Sequence, residues 1–295
     1  MSVHELLAPS SLAVGPALAE FTRRISVDLS ARLPELPSFP DVVVRVRDAL
    51  SKEDVAVEDV VRIVGAEPSL SVRLLQLSNS AALNPSGKRV TTLRAAIARM
   101  GFTKARTATV AFAMSQMRRA DAWRDLQPQF QEIWDASARL AATSYALSRC
   151  CRRADPDQAM LAGMLSAVGR LFILVRAGSL PTLLADTSIY AEIQSVWHAR
   201  AGRALLSCWD LGPEILDAAS DYENALSPHG GRATLSDVLL ASRYLGGVSD
   251  PAELAGMAFL EAPPFVRLGL DAAAAAAVLS ASAGEIASLR AALAD

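Results

Sequence analysis

The sequence predicts an all-α fold, a multi-helix bundle arranged in two helical lobes. Its residues are 52% hydrophobic but only 5% aromatic, so the apolar positions are mostly Ala, Leu and Val. Small aliphatic side chains of this kind favour closely packed helices over sheets. No segment has the alternating pattern of a strand, and helix start and stop residues recur along the chain. A chain of 295 residues can bury a large core without disulfides or structural metals.

The apolar segment Asp157–Val175 is the predicted centre of this bundle. Arg170 is its only charge after Asp157, and a helix that is apolar on every face is normally buried. A carboxylate at Asp155 followed by Pro156 favours a helix start, because the side chain caps free N–H groups and the ring fixes φ. We therefore expect one continuous buried helix here.

Other residues of the same segment concern its packing, its end and its length. Gly163 and Gly169 lower helix propensity, so we expect neighbouring helices to approach closely there. Arg176 and Gly178 favour a helix end. The segment is too short, and too interrupted by polar residues such as Ser166, to predict a membrane span.

Further helices are predicted on both sides of this segment. Three prolines in seven residues make the stretch from Leu33 to Asp41 an extended segment, since they are incompatible with a helix interior. Around this stretch we expect helices near Leu18–Leu29, Asp41–Ser51, Val57–Gly65, Ser69–Ser78, Leu93–Met100 and Lys104–Arg119. The rest is predicted to comprise a connection at Asp121–Pro128, helices at Phe130–Arg149, Ile189–Trp209 and Pro213–Glu223, a capping box at Thr234 and Asp237, a helix at Ala272–Ala277 capped by Asp271, and a last helix capped by Ser282 with Glu285.

The net charge of −2 conceals an uneven distribution of charge. Between Pro68 and Ala120 there are nine Lys and Arg residues and no acid, whereas from Asp210 onward twelve acids accompany four arginines. Such a basic segment attracts anions. Three alternatives stay open: a contact with the acidic C-terminal third within or between chains, a phosphate-rich ligand, and a solvated face. The candidate patch for an anionic partner is Arg99, Lys104, Arg106, Arg118 and Arg119.

Cysteine and histidine usage predicts no cofactor and no structural zinc. Cys150 and Cys151 are adjacent, Cys208 is distant, and no Cys/His set has ligand spacing. His198 is interpreted as a structural or surface residue. Asn79, at a helix exit, is interpreted as bonding to local backbone. The chain does not begin with a basic segment followed by an apolar one, so we expect no signal peptide and a cytoplasmic location.

Six segments of the chain have the order and composition that are typical of one protein family. In the first half they are Leu33-Pro-Glu-Leu-Pro, Glu67-Pro-Ser-Leu-Ser-Val-Arg-Leu-Leu-Gln-Leu-Ser-Asn-Ser-Ala and Val90-Thr-Thr-Leu-Arg-Ala-Ala-Ile-Ala-Arg-Met-Gly. In the second half they are Ile133-Trp-Asp-Ala-Ser, Leu161-Ala-Gly-Met-Leu-Ser-Ala-Val-Gly-Arg-Leu and Trp209-Asp-Leu-Gly-Pro. Over about Leu33 to Glu223 the chain resembles the HDOD domain, the HD-related output domain of bacterial signalling proteins.

The resemblance implies where catalytic relatives would hold a metal. In HD phosphohydrolases, His and Asp side chains bind one or two metals that activate water against a phosphate ester. The upstream His position corresponds to Ala136, the central His-Asp pair to Ser166 and Ala167, and a downstream His pair to Asp221 and Tyr222. These residue types do not make a metal site. We therefore expect a vestigial HD-type site, no cofactor and no enzymatic activity.

The resemblance also implies an HD-like bundle and a role for the chain. The predicted layout is an N-terminal extension at 1–32, a first helical lobe at 33–120, an HD-like lobe at 121–247 and an acidic helical tail at 248–295 packed on the domain. The implied function is a non-catalytic adaptor or regulator of bacterial signal transduction that acts through protein–protein contacts with signalling proteins.

Several alternatives stay open beside that function. One is a residual metal-dependent phosphohydrolase that uses Asp221, and another is a nucleic-acid or nucleotide-binding regulator that uses residues 68–120. A pocket between the lobes, near Ser166 and Asp221, could hold a nucleotide or second messenger. A homo-oligomer also stays open, whereas contact with a membrane is not expected.

Overall fold

A computed structural model of the chain describes residues 16–30, 45–46, 48–49, 54–84, 86–119, 121–207, 209, 211–226, 231–248, 254 and 257–294. All regular structure among these residues is helical, which confirms the predicted all-α class. The helices are α1 Pro16–Ser30, α2 Val57–Gly65, α3 Pro68–Ser78, α4 Leu93–Arg119, α5 Gln127–Cys151, α6 Pro156–Leu165, α7 Ala167–Gly178, α8 Pro181–Ala185, α9 Thr187–Leu206, α10 Pro213–Asp221, α11 Leu235–Leu245, α12 Pro263–Leu268 and α13 Ala272–Ala294.

Short 3₁₀ helices at Asp121–Leu126, Tyr222–Leu226 and Ala258–Glu261 complete the architecture. The first of them occupies the predicted connection at Asp121–Pro128. The proline-rich stretch from Leu33, most of the helix predicted at Asp41–Ser51, and Cys208 lie outside the described residues.

The predicted central segment is two helices rather than one. α6 ends at Leu165 and α7 begins at Ala167, with Ser166 between them. Ser166 Oγ donates a hydrogen bond to the carbonyl oxygen of Gly163 over 2.7 Å, and such side-chain bonding competes with the helical backbone. The two halves have different partners, because α6 packs mainly against α5 and α7 mainly against α9. The prediction of one continuous helix was therefore wrong.

The start and the glycines of this segment are as predicted. Asp155 Oδ1 accepts hydrogen bonds from the backbone N–H groups of Asp157 and Gln158, at 2.7 and 3.0 Å. A Cβ at Gly163 would lie 2.7 Å from the Cα of a residue in α5, and one at Gly169 would lie 2.1 Å from a carbonyl oxygen of α9. Both positions are close helix–helix contacts, which confirms the expectation.

The side chain of Asn79, at the end of α3, forms three hydrogen bonds with backbone. Asn79 Nδ2 donates to the carbonyl oxygens of Leu75 and Val90, both at 2.8 Å, and its Oδ1 accepts from the Val90 N–H at 2.7 Å. Asn79 therefore ties the α3 exit to the segment before α4, which confirms its structural interpretation. Gly101, which follows the helix predicted at Leu93–Met100, has φ of 78° and divides α4 into two helical stretches.

The C-terminal helix α13 contacts helices from both of the predicted lobes. It packs along α5 and also contacts α3 and α4. Buried Arg73 of α3 donates to the carbonyl oxygen of Leu293, and Arg149 of α5 forms an ion pair with Glu285. The prediction of a separate last helix capped by Ser282 was wrong: Ser282 is buried inside a continuous helix, whose flanking alanines have high helix propensity.

Two segments among the described residues match a membrane span in length and composition. In Pro156–Gly178, 83% of the most apolar window is buried inside the protein, as expected of core helices. In Ala272–Leu293 the corresponding share is 17%, so most of this apolar helix is at the surface. A helix of a soluble protein passes the same test of length and composition.

Candidate functional site

A cavity of about 480 Å³ lies in the second lobe, between α5, α7, α9 and α11. Ala136, Ser166, Ala167 and Tyr222 line it, so four positions that the sequence associated with a vestigial site are brought together. The fifth, Asp221, lies instead at a neighbouring depression together with Asp217 and Glu214. All lining residues fall between 129 and 247. The cavity thus lies within the range 121–247 predicted for the HD-like lobe, and the described residues of 33–120 do not line it.

Local structure explains how these residues come to meet. Ala136 lies on α5. Ser166 and Ala167 lie at the break between α6 and α7, and both residues form part of the cavity wall. Tyr222 begins the 3₁₀ helix that follows α10 and is 7% exposed. The same helix break that the sequence did not predict thus helps to form the cavity.

The side chains at these positions do not fit the metal centre of a catalytic HD protein. Ala136 and Ala167 have no ligand atom, and the hydroxyl of Ser166 is already bonded to backbone. Metal sites of this class require several imidazole and carboxylate ligands that converge on one point. Throughout the described residues, no group of three or more His, Cys, Asp and Glu side chains is placed to hold an ion.

Arginines occupy the cavity instead. Arg139 of α5, Arg170 of α7 and Arg243 of α11 all line it, and Glu132 is the only acid among the lining residues that the structure describes. Arg170 is the lone charge after Asp157 in the apolar segment Asp157–Val175, and the sequence alone indicates no role for it. Arg139 and Arg243 were missed, because their convergence depends on the packing of three helices that are distant in sequence.

Glu223, beside the cavity, forms ion pairs with two of these arginines. Its Oε1 accepts from Arg170 Nη2 at 3.0 Å, and the same oxygen pairs with Arg243. Arg243 Nη1 also donates to the Tyr222 hydroxyl at 3.2 Å. Arg139, by contrast, forms no ion pair with any residue that the structure describes. The cavity wall therefore has one cation more than its nearby carboxylates can pair.

His198 stands behind this network as a buried residue. Its Nδ1 lies 2.8 Å from the carbonyl oxygen of Gln194, and its Nε2 lies 3.9 Å from Glu223 Oε2. Burial, and next the charge of Arg170, lower the pKa of His198 below its ordinary value. The structural interpretation of His198 is confirmed, since its ring is 7% exposed and bonded within its own helix.

Neutral polar groups complete the wall. Gln194 Nε2 donates to the Arg170 carbonyl oxygen at 3.1 Å and to the Tyr190 hydroxyl at 2.6 Å. Burial raises the pKa of Tyr190 to about 12, so its hydroxyl is protonated at neutral pH. Gln194 Oε1 and Ser242 Oγ are buried without a hydrogen-bond partner in the described structure. Unsatisfied buried polar atoms of this kind are costly, and a ligand or water normally satisfies them.

The candidate basic patch in the first lobe has a different geometry. Lys104 Nζ pairs with Asp157 Oδ2 at 2.6 Å, and Arg99 Nη1 donates to a backbone oxygen at 2.9 Å. Arg106 is half-buried, Arg119 lines a shallow depression with Arg124, and the Arg118 side chain lies outside the described residues. The acid that pairs with Lys104 comes from α6 and not from the C-terminal third.

The sequence model of the HDOD domain family matches residues 36–225, more than half of the chain.

The chain belongs to the HDOD family.

Several structures share the HDOD fold with this chain. A Shewanella amazonensis SB2B protein, whose name proposes a metal-dependent phosphohydrolase, is 21% identical and has a TM-score of 0.74 over 94% of this chain and 99% of its own. An HDOD domain protein of unknown function from Geobacter sulfurreducens is 19% identical, with a TM-score of 0.62 over 93% and 96%. At these identities the similarity establishes the fold alone.

Two further relatives extend the comparison. A Marinobacter aquaeolei VT8 protein, whose name proposes signal transduction, is 16% identical with a TM-score of 0.55, over 97% of this chain and 68% of its own. An uncharacterized protein of Treponema pallidum (strain Nichols) is 22% identical over 247 residues, which are 77% of this chain and 46% of that protein. This chain thus spans about half the length of that curated relative.

Proposed function

We propose that this HDOD protein is a non-catalytic regulator of bacterial signal transduction that acts in the cytoplasm through contacts with signalling proteins. One observation carries the proposal: four of the five positions that would hold a metal in an HD phosphohydrolase converge on one cavity, yet they are Ala136, Ser166, Ala167 and Tyr222. The fold is kept and its metal ligands are absent from the described residues that line the cavity. A protein of this kind passes on a signal by binding, since it has no turnover to pass on.

The charges of the cavity support the same proposal. A metal site needs negative or neutral ligands, whereas three arginines line this wall. Arg170 is anchored by Glu223, so a cation in the cavity would face fixed positive charge. Asp221, the one carboxylate of the resemblance, lines a separate depression and therefore adds no negative charge to the cavity.

The rival proposal of a residual phosphohydrolase is tested by turnover. The purified protein is incubated with Mn²⁺ and a chromogenic phosphodiester. We expect the chromophore to be released no faster than in a sample that contains Mn²⁺ and the phosphodiester without protein. Metal-dependent turnover that disappears in Asp221→Asn but persists in Asp217→Asn would overturn the proposal. Asp217 is a suitable control because it lies at the same depression and its side chain is 60% exposed.

The rival proposal of a nucleic-acid-binding regulator has weaker support. Lys104 is 15% exposed and paired with Asp157, and Arg94 pairs with Glu58, so part of the basic segment is neutralised within the chain. Phosphate contacts make affinity fall steeply with salt. Binding to duplex or single-stranded nucleic acid with such a salt dependence, lost in Arg119→Gln, would favour this rival.

A further inference from the structure

We propose that the cavity of the second lobe binds a small organic phosphate, which Arg139, Arg170 and Arg243 hold by its phosphate groups. This inference deepens the proposed function and rests on it, because it gives a ligand to a site that we propose has no hydrolytic role. The shared chemistry of the ligand is a phosphate or diphosphate group attached to a neutral organic part.

The cations of the cavity come from different parts of the chain. Three arginines from three different helices line it, and exposed Glu132 is the only acid among its described lining residues. Guanidinium groups bind phosphate with paired, charge-assisted hydrogen bonds, and they keep their charge in any environment. Convergence on one concave wall differs from a solvated face, where arginines point in different directions.

The carboxylate of Glu223 lies between two of these arginines. One oxygen of Glu223 contacts both Arg170 and Arg243, so an anionic group already occupies the position between them. Arg139 has no such partner among the described residues. A bound phosphate can therefore pair with Arg139 directly and compete with Glu223 for the other two. Glu223 makes the cavity less positive and holds the two guanidinium groups in place in the absence of ligand.

The cavity also has room and suitable wall groups for the neutral part of such a ligand. A volume of about 480 Å³ lies within the range of small-molecule sites, and Ile133 and Leu140 provide apolar wall. Gln194 Oε1 and Ser242 Oγ are buried without a partner, and these residues are 8% and 0% exposed. Hydroxyl or amino groups of a bound molecule would satisfy them. A nucleoside phosphate has all of these features.

The test is calorimetric titration of the full chain with three probes: pyrophosphate, ADP and adenosine. We expect ADP and pyrophosphate to bind and adenosine, which has the same base and sugar but no phosphate, to bind at least about tenfold more weakly. Absence of binding by both ADP and pyrophosphate at millimolar concentration would overturn the proposal. Equal binding of adenosine and ADP would overturn it as well.

Two variants with opposite expected effects localise the binding. Arg139→Gln should weaken ADP binding by about tenfold or more, whereas Glu223→Gln should tighten it, because the competing carboxylate is removed. The matched controls are Arg62→Gln, in an exposed pair on α2, and Asp217→Asn, in an exposed pair on α10. Equal effects of Arg139→Gln and Arg62→Gln would show non-specific attraction and overturn the site. Arg139→Gln serves alone if Glu223→Gln fails to give the circular dichroism spectrum of the wild type.

Failure of this inference differs from failure of the proposed function. Binding of ADP without metal-dependent turnover supports both. Absence of binding overturns the proposed phosphate site but does not affect the proposal of a non-catalytic regulator. Binding followed by Mn²⁺-dependent hydrolysis of the probe overturns the proposed function.

Discussion

Gly169 shows how a single residue fixes the packing of the central helices. A Cβ there would lie 2.1 Å from the His198 carbonyl oxygen and 2.8 Å from the Gly202 backbone nitrogen. Because both atoms belong to the backbone of α9, the helices must separate to admit a methyl group. We predict that Gly169→Ala lowers the free energy of unfolding by about 1–3 kcal/mol, measured by urea denaturation.

Gly284 is the matched control for that change. It lies inside α13 with no atom within 4 Å of an added Cβ. Gly284→Ala should leave stability unchanged or raise it by up to about 1 kcal/mol, because Ala has the higher helix propensity. Equal effects of the two substitutions would contradict the close approach of α7 and α9.

The buried ring of His198 makes the free energy of unfolding depend on pH. Its pKa is lowered in the folded protein, first by burial and next by Arg170, and Glu223 and Asp221 oppose this only in part. The unfolded chain therefore binds more protons than the folded chain below the ordinary pKa of about 6.5. We predict that the free energy of unfolding falls as pH decreases from about 7 to about 5.

The control is His198→Gln, which removes the titrating ring. Its stability should fall less over the same pH range, as measured by urea denaturation at each pH. A pH dependence equal to that of the wild type would mean that carboxylates elsewhere cause the effect.

The sequence allowed prediction of residues whose role is local. Asn79 and Asp155 act on backbone within a few positions, so residue type and spacing were sufficient to interpret them. Glu223 was missed because its role arises only when α7, α11 and the 3₁₀ helix after α10 meet. Arg139 was missed for the same reason.

Among the helices, α11 and α12 are joined by a buried ion pair. Arg267 Nε donates to Asp237 Oδ1 at 2.9 Å, and the two side chains are 11% and 0% exposed. Asp237 also accepts from the Thr234 N–H at 2.7 Å, which completes the predicted capping box. We predict that Asp237→Asn costs about 3–5 kcal/mol of stability, because it leaves the Arg267 charge buried without its partner.

An exposed pair is the comparison for this effect. Arg203 and Asp217 form an ion pair with side chains that are 50% and 60% exposed. Asp217→Asn should cost less than about 1 kcal/mol, since water solvates both groups. Thermal or urea denaturation of the two variants measures the difference, and similar costs would contradict the burial of the Arg267 pair.

Helix boundaries were predictable wherever a cap or a strong breaker marks them. The start at Pro156 and the division of α4 at Gly101 are examples. The break at Ser166 was not predictable, because the segment is apolar on both sides and its two halves differ only in the helices they pack against. Ser282 was misread as a cap since serine is also compatible with a buried helical position between alanines.

For the molecule as a whole, composition and motif order were sufficient to predict the class and the family. Small aliphatic residues favour helices, and the six segments follow the order of an HDOD domain, which matches residues 36–225. The contact of α13 with α3, α4 and α5 depends on distant packing. The site was predicted at four cavity positions, whereas the arginines that give the cavity its charge were not.

We propose that the cavity of this HDOD protein does not hold a metal ion. The most direct test of this proposal is the metal content of the full chain, measured by mass spectrometry after incubation with Mn²⁺ and removal of free ion by gel filtration. We predict far less than one equivalent of Mn²⁺ per chain. A full equivalent retained by the wild type and by Asp217→Asn, and lost in Glu132→Gln, which removes the acid among the described lining residues, would contradict this proposal.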